Sequence, residues 1–209
     1  EDLNRAAQGW GALVFHDVIN QTFAHKAIEK GADGLIPVAA GAGGHAGVIS
    51  PFALVSEIRR WFDGPVVLSG AIGNGRSVLA AQATGADLAY IGSAFIATTE
   101  ANASAGYKDG IVAGHAADIV YSDLFTGVHG NYLRGSIEAA GLDPDNLPKG
   151  DYKTMDFGSG GNSAKKAWRD IWGSGQGIGS VDQVESVADR VDRLEREYHA
   201  ARAELIARS

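Results

Sequence analysis

The sequence predicts an α/β protein of consecutive parallel βα units, about the C-terminal half of a (β/α)8 TIM-type barrel with helical additions behind it. Three observations predict it. Through the first hundred residues, short runs that are apolar at every position alternate with helical patterns, as suits parallel strands covered on both faces. The phrase Gly31-Ala32-Asp33 returns as Gly85-Ala86-Asp87, with glycine where a helix would end and a strand close behind. Glycine, 29 of 209 residues, collects in knots directly after apolar runs, where backbone turns sharply or approaches a ligand closely.

Taken in order, Leu13-Val14-Phe15 is the first candidate strand, with a helix from Asn20 to Lys30. Gly34 to Val38 is the second, and Pro51, at a favourable first-turn position, opens a helix running to Phe62. Pro65 to Leu68 is the third, followed by a helix from Arg76 to Thr84; Asp87 to Ile91 is the fourth, leading into a helix near Ser93. Ile119-Val120-Tyr121 is a candidate fifth. A closed barrel needs eight strands and typically about 250 residues. Two readings follow: an open doubly wound sheet, or a barrel with part of it outside this chain. The start at Glu1, without a methionine, favours the second and reads as a fragment, a processed chain or the ordered part of a longer protein. Beyond Ala101, Ser104 to Gly114 and Asn131 to Ala140 read as helices, and Gly141 to Gly161 as a long surface excursion. Ala164 to Trp172 reads as a short helix. From Ser180 to Ala207, Val184, Val187, Val191, Leu194, Tyr198 and Leu205 recur at helical spacing, an amphipathic helix that docks on the body.

Composition removes several functions. The net charge of −7 argues against a nucleic-acid partner, and no apolar run approaches the roughly 18 residues of a membrane span. The absence of cysteine excludes disulfides and thiolate chemistry and permits a reducing cytoplasm, the expected location. His16, His25, His45, His115, His129 and His199 show no i, i+4 or carboxylate-linked spacing, so no metal site is expected.

Three segments carry candidate chemistry. Ala39 to Gly47 follows a strand and holds His45 between glycines. Carboxyl ends of parallel strands form the ligand face, so the imidazole either exchanges a substrate proton or orders its loop through backbone bonds. Ser69 to Arg76 opens a helix whose amides suit an anion, and Ile91-Gly92-Ser93 does the same at the next strand. Plain connectivity is the alternative for either alone; together they match the phosphate site of such barrels. The order G-x-x-G-x-G disfavours a Rossmann dinucleotide site. His16 sits at a strand end and is a further pocket candidate. Thr126 to Tyr132 is either a substrate lid or a helix-initiating turn, and Gly173 to Gly177 is equally open.

At Ala42-Gly43-Gly44-His45-Ala46-Gly47, Pro65 to Ile72, Tyr90 to Phe95 and the two Gly-Ala-Asp phrases, the sequence resembles the nitronate monooxygenases. It is also similar to the related NAD(P)H-dependent flavin reductases and FMN-type enoyl reductases. The resemblance implies His45 as the proton handler beside a flavin. It implies FMN contacts at Gly43, Gly44, Gly70, Ala71, Gly92 and Ser93, with Tyr90 and Ile91 adjoining. Ala71 stands where the family often has Gly, and Ser93 where it often has Thr; both can still present a backbone N–H. The family often has Gln near Val38, and its N-terminal Pro-Met-Ala-Gly segment is not in this sequence. The expected organisation is a C-terminal half of a flavin-binding barrel over 1–100, a helical and loop substrate-side region over 101–179, and a helix packing on the barrel over 180–209. The resemblance implies oxidation of an alkyl nitronate or similar carbanion with O2. Its rivals are NAD(P)H-dependent reduction of a quinone or acyl thioester, and a flavin-free phosphate-binding isomerase or synthase. The expected partners are a small-molecule substrate and the N-terminal half of the barrel, with room for a homodimer and none for nucleic acid or membrane.

Overall fold

The computed structural model describes residues 2–150 and 170–208. The helix expected over 164–172 therefore lies outside the described residues up to 169, as does the 151–161 part of the excursion.

The first half is built of α1 (Asp2–Gly9), β1 (Phe15–Val18), α2 (Gln21–Glu29), β2 (Gly34–Pro37), β3 (Gly44–His45), α3 (Pro51–Arg59), β4 (Val67–Ser69), α4 (Gly75–Ala83), β5 (Leu88–Tyr90) and α5 (Ser93–Ile96). β1 pairs parallel with β2, and β4 with β5. Parallel bridges Leu35–Val66 and Val38–Ser69 join β2 to β4. The spatial order β1-β2-β4-β5 is thus the chain order. Among the described residues the strands close no barrel, and β1 and β5 stand as edges.

The repeated Gly-Ala-Asp phrase has one mechanical meaning in both places. Gly31 and Gly85 adopt φ of +85° and +104°, the left-handed turn that ends a helix. Ala32 N donates to Ala27 O and Ala86 N to Ala81 O, both at 3.1 Å, as the chain reverses. The aspartate then clamps the strand before: Asp33 Oδ2 accepts from Val14 N at 2.7 Å, and Asp87 Oδ2 from Val66 N at 2.8 Å. Gln8 donates to Asp33 at 2.9 Å and Arg59 to Asp87 at 2.6 Å. The phrase ends a helix, turns the chain and sets the next parallel register.

The main core lies between this sheet and its helices. Leu54, Val55 and Ile58 form the buried face of α3 and pack with Leu35, Val66 and Leu68 of the sheet layer. Two smaller clusters continue it, one around Ile111, Leu133 and Ile178, the other around Tyr132, Ile137 and Ile171.

The second half is α6 (Ala105–Ala113), a 3-10 turn at Ala116–Asp118, β6 (Ile119–Ser122), β7 (Gly130–Leu133), α7 (Arg134–Ala139), a 3-10 turn at Gln176–Ser180 and α8 (Val187–Arg208). Three expectations are corrected here. The first strand runs from Phe15 to Val18 and leaves Leu13 exposed outside it. Ile119 to Tyr121 lies in a strand, but β6 is antiparallel to β7 in a separate sheet and continues no parallel series. The helix expected from Asn131 begins only at Arg134. Gly130 to Leu133 is instead a wholly buried strand, paired antiparallel to β6 on one side and β3 on the other. Pairing on both edges outweighs a weak local helical pattern.

α8 lies along α4. Tyr198 Oη donates to Gln82 at 2.6 Å, and Arg76 pairs with Glu204 at 2.6 Å. Arg190, wholly buried, sits 2.8 Å from Glu185, and Arg193 bridges Asp182 and Glu197. Among the described residues no helix is long and apolar enough to cross a membrane.

Ile58→Ala should lower unfolding free energy by about 2–5 kcal/mol in denaturant titration, because it empties part of the main core. The Gln8 amide and the Val14 amide hold the Asp33 carboxyl below its ordinary range, and the Val66 amide, with Arg59, does the same for Asp87. Both clamps therefore stabilise the fold above the unfolded carboxyl value near pH 4 and are lost as pH falls through the lower folded values. Asp87→Asn should lower Tm at pH 7 and flatten the fall of Tm on acidification below about pH 4, as read by thermal melts across pH.

Candidate functional site

Four small-residue segments meet at the carboxyl ends of β2, β4 and β5. The carbonyl of Gly41 accepts from Ala71 N at 3.2 Å and from Gln176 N at 2.9 Å, drawing three of them together. Ser93 Oγ accepts from Gly175 N at 2.9 Å and brings in the fourth. Only glycine fits at 175, where a Cβ would lie 2.6 Å from the Gly41 carbonyl oxygen. These turns enclose a cavity of about 360 Å³. Gly43, Gly44, Gly70, Ala71, Tyr90, Gly92 and Ser93 all stand on its wall. Ile91 does not; it is partly buried against the two neighbouring core clusters. Among the described residues no charged side chain lines this cavity, so Ser69, Tyr90, Ser93 and backbone dipoles supply its polarity.

The knot from Ser69 to Arg76 divides its work. Its first half faces the cavity. Its second half is packed on the C-terminal segments: a Cβ on Gly73 would strike Gly177 O, and one on Gly75 would strike Leu194 O. Glu197 accepts from Gly75 N at 2.8 Å, and Asn74 caps α4 by accepting from Ser77 N at 2.8 Å. The expectation that this helix turns its N-terminus to an anion is therefore corrected, because those amides are committed to side chains of the protein. The same holds for Ala71, whose N–H is given to Gly41. Ala71 also has φ of +53°, alone among the described non-glycine residues in being left-handed.

His45 stands exposed on β3, opposite Gly130 of β7. Its Nε2 lies 2.8 Å from Thr126 Oγ1. It lines a second cavity, of about 520 Å³, with Tyr107, Tyr132, Trp172, Ser104 and Asn102. Gly44 and Gly173 belong to both cavities, so the histidine stands beside the glycine-lined one. Tyr107 and Trp172 stack at 4.9 Å, and the Tyr107 hydroxyl donates to the Gly173 carbonyl. Burial pushes the Tyr107 phenol up to about 12 and raises that of Tyr132, so both are neutral donors at ordinary pH. Buried Asn131 donates to Ala42 O at 2.6 Å and pins the glycine loop from the β7 side.

His16 is exposed on the edge strand β1 and lines neither cavity. Thr126 to Tyr132 runs through the turn of the β6–β7 hairpin into β7, and starts no helix. Gly173, Gly175 and Gly177 close the first cavity. Sequence reasoning assigned no role to Tyr107, Asn131 or Trp172. For Asn131 a signal existed: Ser122 to Gly127 is turn-rich and separates two short apolar runs, the pattern of a hairpin.

The fold and its cavities define a parallel β/α protein whose small-residue turns gather into a ligand-sized hollow beside a histidine. The chain belongs to the nitronate monooxygenase family, whose model matches residues 7–197. A nitronate monooxygenase of Paraburkholderia phytofirmans is 31% identical over 147 residues, covering 66% of this chain and 40% of that protein. A Mycobacterium tuberculosis protein with a provisional monooxygenase name is 28% identical over 209 positions, 94% of this chain and 56% of its own length. The chain thus spans about half the length of these relatives. Among solved structures, FabK (M276A) of Thermotoga maritima superposes with a TM-score of 0.77 at 24% identity, covering 100% of this chain and 66% of that one. A nitroalkane oxidase of Streptomyces ansochromogenes gives 0.76 at 24%, covering 98% and 62%. These two likenesses show a shared fold.

Ala71→Gly should raise stability by about 0.5–1 kcal/mol. Relief of the left-handed strain, roughly 1–2 kcal/mol, outweighs the added backbone entropy of glycine. Paired denaturant titrations check it.

Proposed function

We propose that the protein containing this chain is an FMN-dependent oxidoreductase of the nitronate monooxygenase type, acting on an alkyl nitronate or similar carbanionic small molecule with O2. One observation carries the reading: the glycine-walled cavity and the His45 cavity adjoin across Gly44 and Gly173. The residues present fit the cofactor. At Gly44 and Gly92 a Cβ would meet nothing within 4 Å, so both leave space open on the cavity side. The phosphate end would be held by Ser93 and the backbone of Gly43, Gly70 and Gly92, with Ala71 serving as wall. Tyr90 lies at the rim. Bound there, FMN would supply the electron transfer between substrate and oxygen. His45 would hold or return the substrate proton, and the Tyr107–Trp172 stack with Tyr132 would keep water from that side of the site.

The same reading takes this chain as the C-terminal half of the barrel. A doubly wound sheet reverses its strand order at a switch point, whereas here the order follows the chain without reversal. Among the described residues no strand pairs with the outer edge of β1 or β5, and on β5 Leu88 and Tyr90 are 62% and 57% exposed. We assign the covering of those edges to further βα units of the whole protein.

A second reading, NAD(P)H-dependent reduction of a quinone or acyl thioester, is favoured by a third cavity of about 910 Å³. It shares Ser104, Ile171 and Trp172 with the His45 cavity and offers room for a bulkier substrate.

The purified whole protein should be yellow, with flavin absorbance that denaturation releases as FMN; a colourless protein that binds no added FMN would refute the reading. Anaerobic bleaching by a nitronate and not by NADPH supports the first function, and the reverse supports the second. Gly92→Val, which has space for its side chain, should keep the fold by circular dichroism while losing FMN. His45→Gln should keep FMN and lower kcat by about 10²–10⁴.

A further inference from the structure

The β6–β7 hairpin carries a side chain that the functional reading has not used. Thr126 is 1% exposed, yet its hydroxyl reaches His45 Nε2 at 2.8 Å across 81 residues of sequence. The hydroxyl has one proton and two lone pairs. The Val128 carbonyl, 2.8 Å away, has no proton to give and takes that of Thr126. The Thr126 oxygen is then left to accept, with His45 Nε2 at 2.8 Å and Val128 N farther off at 3.3 Å. The Tyr132 hydroxyl also touches Thr126.

We propose that Thr126 is a positioning residue for His45, anchoring the imidazole through an Nε2–H to Oγ1 hydrogen bond. This rests on the reading of His45 as the proton handler. The bond helps to fix the ring plane of a side chain carried on a two-residue strand. It also places the proton of the neutral ring on Nε2 and its lone pair on Nδ1. The hairpin gives the anchor rigidity: β7 is buried and paired on both edges, and Ala46 N donates to His129 O at 3.3 Å just beyond the histidine. Among the described residues the surrounding titratable groups are Tyr132 on β7, Tyr107 on α6 across the cavity, and Tyr121, whose hydroxyl donates to Ala46 O at 2.9 Å. Next to these, His129 stacks on Tyr121 and stands 4.0 Å from Asp123. Were Thr126 the donor to Nε2, the neutral ring would carry its proton on Nδ1 instead.

The test uses the whole flavin-loaded protein, with Thr126→Val to remove the hydroxyl at constant shape and Thr126→Ser to retain it. In the wild type, nitrogen-15 shifts of the His45 ring should report the Nε2–H tautomer when neutral. Thr126→Val should change those shifts to the values of a tautomer mixture, because the acceptor that selects Nε2–H is gone. It should also lower kcat about ten- to a hundredfold with KM nearly kept, while Thr126→Ser stays close to wild type in both. An Nδ1–H tautomer in the wild type, an unchanged tautomer in Thr126→Val, or failure of Thr126→Ser to restore kcat would overturn the proposal. If the Nε2–H tautomer and its loss in Thr126→Val are found but neither Thr126→Val nor His45→Gln slows turnover, the anchor exists and the catalytic reading of His45 is what fails.

Discussion

Backbone packed directly on backbone is the constraint on which the rest of this structure depends. The carbonyl of Gly41 serves two amides from segments 30 and 135 residues away along the chain, Ala71 and Gln176. Such contacts leave no room for side chains between the turns, as the close approach at Gly175 shows. Glycine and alanine are therefore required in the turns after β2 and β4, whatever the ligand. What remains between the turns is a hollow walled by peptide groups, uncharged and rich in dipoles, which suits an anionic group that needs many weak donors.

The second element of the site comes from a different kind of sheet. His45 sits on a short strand that only β7 completes, and β7 is held in turn by β6. The parallel layer makes the hollow, and the antiparallel layer holds the histidine at its side. α8 braces the arrangement from behind. Its Glu197 caps α4, so the C-terminal helix and the second glycine knot are joined by a hydrogen bond, and Arg193 holds Glu197 in place at 3.0 Å.

Much of the first half was legible in the sequence because its signals are local. The Gly-Ala-Asp phrase encodes a helix end, a left-handed turn and a strand clamp within three residues, and the helices from Gln21, Pro51 and Gly75 open near their expected starts. Seven of the eight expected cofactor contacts share one cavity wall, since glycine knots after successive parallel strands have nowhere else to converge; Ile91 turns into the core. What was not legible depends on distant partners. Asn131 becomes a strand residue through pairing with β3 and β6. The amides of Gly75 and Ala71 are taken by Glu197 and Gly41, which no spacing reveals. The contact between His45 and Thr126 joins residues 81 apart and is equally invisible to periodicity.

The central claim is that the hollow between the glycine turns holds the phosphate end of FMN. A crystal structure of the whole protein with FMN bound tests it most directly. The account predicts the phosphate inside the cavity bounded by Gly43, Gly70 and Ser93, with an oxygen within hydrogen-bond distance of Ser93. A phosphate seated elsewhere, with that cavity filled by water or by protein side chains, would contradict it.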